Sequence, residues 1–217
     1  MTKRLASEFI GTLLLLATIV GSGIMGESLA GGNIAIALLA NALATGAMLF
    51  VLINIFGPVS GAHFNPVVTV AMVATGRLPK SSITPYLFMQ IAGGILGVIL
   101  AHAMFDQPLL QISHKIRWGM GQWISEGTAT FGLLLTIFAL LRHKPEAVPQ
   151  AVALYIVGAY WFTASTSFAN PAVTLARGLT DSFAGIAPSC VWQFIAAQCV
   201  GAVLAVLVSQ KLFKFEP

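Results

Sequence analysis

The chain has 217 residues, of which 57% are hydrophobic and only 8% charged, and its formal net charge is +4. A soluble domain usually carries about 25% charged residues. This composition therefore excludes a water-soluble protein and predicts one solvated by lipid. The length accommodates six membrane spans of about 20 residues each, with no separate soluble domain. The positive charge then reflects orientation in the membrane, and no nucleic-acid partner is expected.

Six long apolar segments predict six transmembrane helices, and two shorter segments predict half-helices. The long helices are expected at residues 5–25, 33–55, 82–105, 119–141, 149–166 and 187–212. The short segments, 66–76 and 171–179, contain about ten residues each, too few to cross a bilayer. Each begins with proline after asparagine, which suits the first helical position and the N-cap. Each half-helix should therefore enter from one face and begin at mid-depth.

The half-helices follow one motif that is written twice. Residues 60–69 read SGAHFNPVVT and residues 167–174 read SFANPAVT. Residues 7–12 (SEFIGT) resemble 125–130 (SEGTAT), and 90–93 (QIAG) resemble 198–201 (QCVG). Because each half holds three spans, the repeats, approximately 1–106 and 117–217 of a single domain 1–217, must be inverted relative to each other. Matching polar interruptions in two membrane halves indicate a site at the midplane.

The basic residues predict the orientation. With a cytoplasmic N-terminus, eight of them fall inside and three outside, as the positive-inside rule requires. The inner set is Lys3, Arg4, Arg77, Lys80, Arg142, Lys144, Lys211 and Lys214, and the outer set is Lys115, Arg117 and Arg177. The chain is therefore expected to be a multi-pass protein of the cell (inner) membrane with both termini in the cytoplasm.

The two Asn-Pro motifs, the paired Glu8 and Glu126 and the layout of six helices plus two half-helices resemble the aquaporin, or major intrinsic protein, family. The resemblance covers nearly the whole chain. It implies an all-α membrane protein, a right-handed bundle with an inverted repeat, assembled as a homotetramer with one pore per protomer. The residues that it assigns to the pore motifs are Asn65, Pro66, Val67, Asn170, Pro171 and Ala172, where Val67 replaces the usual alanine.

The resemblance also implies how ions are excluded. A helix N-terminus carries about half a positive charge and unpaired N–H groups, so two of them meeting at the pore centre repel cations. The amides of Asn65 and Asn170 can donate hydrogen bonds to a passing oxygen. Half-helix dipoles of this kind are described for aquaporins in general, so the mechanism belongs to the resemblance.

By the same resemblance, four residues line the selectivity filter: Thr45, Gly158, Ser167 and Val173. The family usually has arginine at the position of Val173, and water-selective members have a large aromatic residue and a histidine among the others. Four small or medium uncharged residues predict a wide, weakly polar filter. Some bacterial members with valine in place of that arginine resemble this chain closely and are associated with arsenic handling.

Other polar residues leave alternatives open. Arg177 lies one helical turn, about 5.4 Å, beyond Val173; it either reaches back into the pore as a rim charge or extends to the outer headgroups, and we favour the headgroups. Glu8 and Glu126 could relay protons or support the half-helix loops by accepting backbone hydrogen bonds, and their symmetry favours support. His63 is expected in the inner vestibule.

The sequence therefore predicts a passive channel for water and small uncharged solutes such as glycerol, urea and metalloid hydroxides, including arsenite as arsenous acid. One alternative is a strict water channel in which Arg177 supplies the filter charge. Another is a proton-coupled transporter that uses Glu8 and Glu126. The sequence contains no nucleophile–base pair, metal-ligand spacing or cofactor motif, so no enzyme, metal or cofactor is expected.

Overall fold

The structure, a computed structural model, describes residues 2–213, and every regular element in that range is helical. Lys214, which the orientation prediction places inside, lies outside the described residues. The helices are α1 (Thr2–Leu29), α2 (Ile34–Ser60), α3 (Pro66–Ala74), α4 (Ile83–Met104), α5 (Met120–His143), α6 (Val148–Phe162), α7 (Pro171–Arg177) and α8 (Pro188–Phe213). This is the predicted architecture of six long helices and two half-helices.

Five of the long helices, α1, α2, α4, α5 and α8, are long and apolar enough to cross a membrane. The sixth, α6, has 15 residues and ends at Phe162, four residues before the predicted end of the span at 166. Residues 163–167 read TASTS, and the Thr163 hydroxyl donates to the Ala159 carbonyl. Hydroxyl side chains that bond to nearby backbone compete with helical hydrogen bonds, which explains the early end.

Both half-helices begin where the sequence predicts. Asn65 and Asn170 are the N-caps, with extended backbone, and each is followed by proline in the first turn. The side-chain oxygen of each asparagine accepts a hydrogen bond from the backbone of its own helix. The Asn-Pro pair thus ends the preceding loop and starts a helix in the buried interior of the bundle.

The two halves of the bundle are each held by one very close helix pair. In the α1–α4 pair, a Cβ added at Gly93 would overlap the Phe9 carbonyl, and in the α5–α8 pair one added at Gly201 would overlap the Gly127 carbonyl. Small residues at such crossings let backbones touch in lipid, where no hydrophobic force drives helices together. The half-helices α3 and α7 then pack against α4 and α8.

Candidate functional site

The N-terminal ends of the two half-helices meet and are tied together by their asparagines. Asn65 Nδ2 donates to the Ala169 carbonyl at 2.8 Å, and Asn170 Nδ2 donates to the Phe64 carbonyl at 2.8 Å. An amide nitrogen carries two hydrogens, so each asparagine keeps one for another acceptor. Both side chains line the central cavity and can offer that hydrogen to a molecule inside it.

Glu8 holds the loop that leads into α3. Its Oε1 accepts from Ser60 Oγ at 2.7 Å and from the His63 N–H at 3.0 Å, and its Oε2 accepts from the Phe64 N–H at 2.7 Å and Gln90 Nε2 at 2.8 Å. The side chain is fully buried. Because the backbone and amide partners can only donate, both carboxylate oxygens act as acceptors here.

Glu126 holds the loop that leads into α7 in the same way. Its Oε1 accepts from the Phe168 N–H at 2.8 Å, and its Oε2 accepts from the Ala169 N–H at 2.9 Å and Gln198 Nε2 at 2.6 Å. It too is fully buried. Two consecutive backbone N–H groups therefore converge on one carboxylate in each half of the protein.

Backbone strain makes this convergence possible. Ala62 and Phe64 in the first loop and Ser167 and Ala169 in the second adopt left-handed backbone with φ between 47° and 52°. Alternation of this conformation turns successive N–H groups to one side, where they form a concave anion site. Each such residue costs about 1–3 kcal/mol, which the buried carboxylate offsets.

Two glutamines complete the scaffold, and sequence reasoning did not assign them to the site. Gln90 bridges Glu8 to Thr69 Oγ1 at 2.9 Å, and Gln198 bridges Glu126 to Thr174 Oγ1 at 2.9 Å. Their only signal in the sequence is the repeated Gln-x-x-Gly pattern, which indicates that the two halves repeat but not that the glutamines contact the glutamates. Each half thus contains the same chain of glutamate, glutamine, threonine and asparagine.

The central cavity has a volume of about 110 Å³, room for several waters at about 10–15 Å³ each on the same measure. It extends past both asparagines along the two half-helices, which run in opposite directions. We call its ends the Met72 end and the Arg177 end. His63, predicted in the inner vestibule, lines the cavity near the Met72 end, and its Nδ1 lies 3.1 Å from Thr69 Oγ1.

The Arg177 end contains three of the four predicted filter residues, and the structure does not bring the fourth, Gly158, to them. Thr45, Ser167 and Val173 line the cavity, whereas Gly158 is exposed on the outside of the bundle and a Cβ there would meet nothing. Tyr160 takes its place, with its hydroxyl 3.2 Å from Thr45 Oγ1. At 100° per residue, Gly158 and Tyr160 lie about 200° apart around the helix axis. Counting back from Asn170 therefore gave a residue at the level of the filter but on the opposite face of α6.

Arg177 does not extend to the headgroups, contrary to the favoured expectation. Only 2% of the residue is exposed, and it lines the cavity. Its Nε donates to the Ala184 carbonyl, and its guanidinium carbon lies 3.4 Å from the centroid of the Phe168 ring. A cation over an aromatic face is attracted by the ring quadrupole, so the side chain folds back instead of extending outward.

A strap formed by residues 105–119 covers this end of the cavity. The Ser113 N–H donates to the Gly178 carbonyl at 3.0 Å, and the Ala187 N–H donates to the Lys115 carbonyl at 2.8 Å. Burial, followed by the nearby charges of Arg117 and Arg177, lowers the pKa of the Lys115 ammonium. Three basic side chains, Lys115, Arg117 and Arg177, therefore lie near one another at this end of the protein.

The residues 2–213 contain no group of three or more His, Cys, Asp or Glu side chains that could hold a metal ion. The polar groups around the cavity are instead amides, hydroxyls, the His63 imidazole and the Arg177 guanidinium. Such groups bind and orient small polar molecules through hydrogen bonds.

The family described as Major intrinsic protein matches residues 1–163. The chain is 51% identical over 214 residues to Aquaglyceroporin AqpS of Rhizobium meliloti strain 1021, covering 99% of this chain and 91% of that one. It is 32% identical over 237 residues to the Glycerol uptake facilitator protein of Streptococcus pneumoniae strain R6, covering 96% and 98% of the two chains. The X-ray structure of the aquaglyceroporin from Plasmodium falciparum has the same fold, with a TM-score of 0.76 at 21% identity over 97% of this chain and 96% of that one.

Proposed function

The chain belongs to the major intrinsic protein family, and from that premise we propose that it is a passive channel for water and small uncharged solutes, including glycerol, urea and metalloid hydroxides such as arsenous acid. One observation carries this proposal: a central cavity runs between the two half-helices and passes the free amide hydrogens of Asn65 and Asn170. A neutral molecule with oxygen atoms can accept from both asparagines in turn.

The residues at the Arg177 end support the proposal that solutes larger than water pass through the channel. Val173 contributes no charge to the cavity wall, and the hydroxyl groups of Thr45, Tyr160 and Ser167 lie at the same level. Ser167 Oγ is buried without a hydrogen-bond partner in the described part of the chain, and Ser167 lines the cavity. The names of two relatives, an aquaglyceroporin and a glycerol uptake facilitator, agree with a solute of this class.

A strict water channel is the second candidate, and the position of Arg177 favours it. Its guanidinium lines the cavity, so it can provide the charge that Val173 lacks. However, Phe168 and Ala184 hold the Arg177 side chain against the cavity wall. Because the side chain is restrained there, we retain the solute channel as the first candidate.

Proton-coupled transport has less support. Each of the two glutamates, Glu8 and Glu126, accepts hydrogen bonds from two backbone N–H groups of a half-helix loop. Protonation of either carboxylate would remove an acceptor from a backbone N–H group. We therefore propose that both glutamates support the loops and that flux follows the solute gradient alone.

The orientation and assembly complete the proposal. We propose that the chain lies in the inner membrane with both termini in the cytoplasm, a proposal that the basic residues near the chain ends, including Lys3 and Arg4, support; the Arg177 end would then face outward. A homotetramer in lipid, with one cavity per protomer, is the assembly that the family resemblance implies. Light scattering of the detergent-solubilised protein, corrected for bound detergent, measures the number of protomers.

Stopped-flow light scattering on proteoliposomes tests the proposal, with water, glycerol, urea and arsenous acid gradients applied separately. We expect fast water and fast solute flux in the wild type. Val173→Arg should reduce glycerol flux about tenfold or more while water flux persists, and Val173→Leu, which adds no charge, is the matched control. Fast water flux with no solute flux in the wild type would favour the strict water channel.

A further inference from the structure

Arg117, on the strap before α5, is a second buried cation at the Arg177 end. Only 8% of the residue is exposed. Its Nε donates to the Gly185 carbonyl at 2.9 Å, and its Nη1 donates to the Ser165 carbonyl at 3.2 Å. Its guanidinium carbon lies 5.0 Å from the centroid of the Phe168 ring. Two backbone carbonyls and an aromatic ring thus fix the charge of Arg117 beside the cavity.

Arg117 and Arg177 share this one ring. Their guanidinium carbons lie 5.0 Å and 3.4 Å from its centroid, so they are separated by no more than the sum of these distances. Like charges this close repel each other unless an anion lies between them. Neither arginine forms an ion pair with a carboxylate anywhere in residues 2–213, and their hydrogen-bond acceptors are neutral carbonyls.

The charge is confined to one end of the cavity. The two Asn-Pro motifs are 105 residues apart, and by the same offset Arg177 corresponds to Met72 and Phe168 corresponds to His63. Met72 lines the opposite end of the cavity with an uncharged side chain. The repeat that duplicates the scaffold therefore does not duplicate this cation pair, although both guanidinium groups also donate to loop carbonyls.

We propose that Arg117 is a specificity-determining residue, an inference that rests on the proposed function. Together with Arg177, it forms a charge barrier against cations at the Arg177 end. The pair provides from two new positions the positive charge that is absent at Val173. Neutral solutes pass along Arg177, which lines the cavity, while Arg117 lies beside Phe168. A cation meets two guanidinium charges, which the single nearby carboxylate of Glu126 offsets only in part. Burial lowers the pKa of Arg117 to about 10, so the group remains protonated at neutral pH.

Urea and guanidinium are a suitable probe pair, because they are nearly equal in size and shape and differ in charge. Urea entry into proteoliposomes is measured by stopped-flow light scattering, and entry of radiolabelled guanidinium is measured by filtration. Arg117→Met removes the charge and keeps an apolar stem, and Arg117→Lys keeps the charge. Arg177→Met tests the other member of the pair. Circular dichroism and gel filtration check that each variant is folded.

We expect Arg117→Met to raise the ratio of guanidinium to urea permeability about tenfold, the factor for one unit charge roughly 10 Å from the passing cation at an effective dielectric constant of about 20. Arg117→Lys should keep the ratio within about twofold of wild type, and Arg177→Met should raise it. If Arg117→Met does not fold, Arg117→Gln, which keeps an N–H donor near Gly185, replaces it.

Three outcomes would contradict the charge barrier or the proposed function, and the assay distinguishes them. An unchanged ratio in folded Arg117→Met or Arg117→Gln, with urea still permeant, would overturn the charge barrier and leave the proposed function intact. A wild-type protein that excludes urea as well as guanidinium would overturn the proposed solute channel itself. An equal rise of the ratio in Arg117→Lys and Arg117→Met would assign Arg117 a packing role and reject the electrostatic one.

Discussion

Replacing Glu126 by glutamine tests whether this buried carboxylate supports the loop before α7. The carboxylate accepts three hydrogen bonds, from the Phe168 N–H, the Ala169 N–H and Gln198 Nε2. Glutamine offers one acceptor oxygen and one NH₂ group. In either orientation of the amide, at least one donor of the loop then faces another donor.

The cost can be estimated from these bonds. A hydrogen bond to a charged group contributes about 1.5–3 kcal/mol, and a buried donor left unsatisfied costs about 1–3 kcal/mol. Weakening two bonds and losing a third gives a destabilisation of about 3–5 kcal/mol, a large part of the roughly 5–15 kcal/mol that stabilises a typical native protein. The loop also carries the Ala169 carbonyl, which is the acceptor for Asn65, so the centre of the cavity should distort with it.

We therefore expect Glu126→Gln to lower the thermal unfolding midpoint in detergent and to reduce water permeability at least about tenfold. Glu27→Gln is the matched control, because Glu27 is exposed and the same substitution there should change neither quantity. A proton relay predicts a different result, namely a stable protein that has lost only pH-driven transport. Wild-type stability in Glu126→Gln would refute the loop-support reasoning.

Two further predictions use pairs of substitutions as internal controls. Tyr160→Ala should increase glycerol permeability in flux assays, because Tyr160 lines the cavity beside Thr45. Gly158→Ala, on the exposed face of the same helix, should leave glycerol permeability unchanged. Equal effects of the two substitutions would support Gly158 as a filter residue. Gly201→Ala should destabilise the protein by more than about 1–3 kcal/mol, because its Cβ would overlap the Gly127 carbonyl. Gly57→Ala, with open space around it, should leave the thermal unfolding midpoint unchanged. Equal unfolding midpoints in the two variants would argue against the close α5–α8 contact.

The fold and the half-helices were predictable because their causes are local. Asn-Pro specifies an N-cap and a first turn wherever it occurs, and a segment of about ten apolar residues cannot span a bilayer. The paired sequences around Glu8 and Glu126 indicated the repeat, and the odd number of spans in each half required its inversion. Each of these inferences depends on residues that are neighbours in the sequence.

The filter was predicted less well because its geometry depends on contacts between distant segments. The level of Gly158 was inferred from its distance to Asn170, but the face of α6 that points inward is set by packing against α2. The inward fold of Arg177 depends on Phe168 and on the Ala184 carbonyl. Arg117 was assigned to the outer side by the alternation of the spans, and nothing in the local sequence shows that it reaches the same ring.

Comparison of the two halves separates residues that build the protein from residues that give it selectivity. The chain from Glu8 through Gln90 to Thr69 recurs as Glu126, Gln198 and Thr174 with nearly the same distances, because both half-helices need the same support. Where the halves differ, they differ at the cavity wall, as Arg177 differs from Met72. A scaffold function requires symmetry, whereas discrimination between solutes needs only one narrow, charged point along the path. Selectivity residues in this chain are therefore expected where the repeat breaks down, and Arg117 and Tyr160 are the first positions to test on that basis.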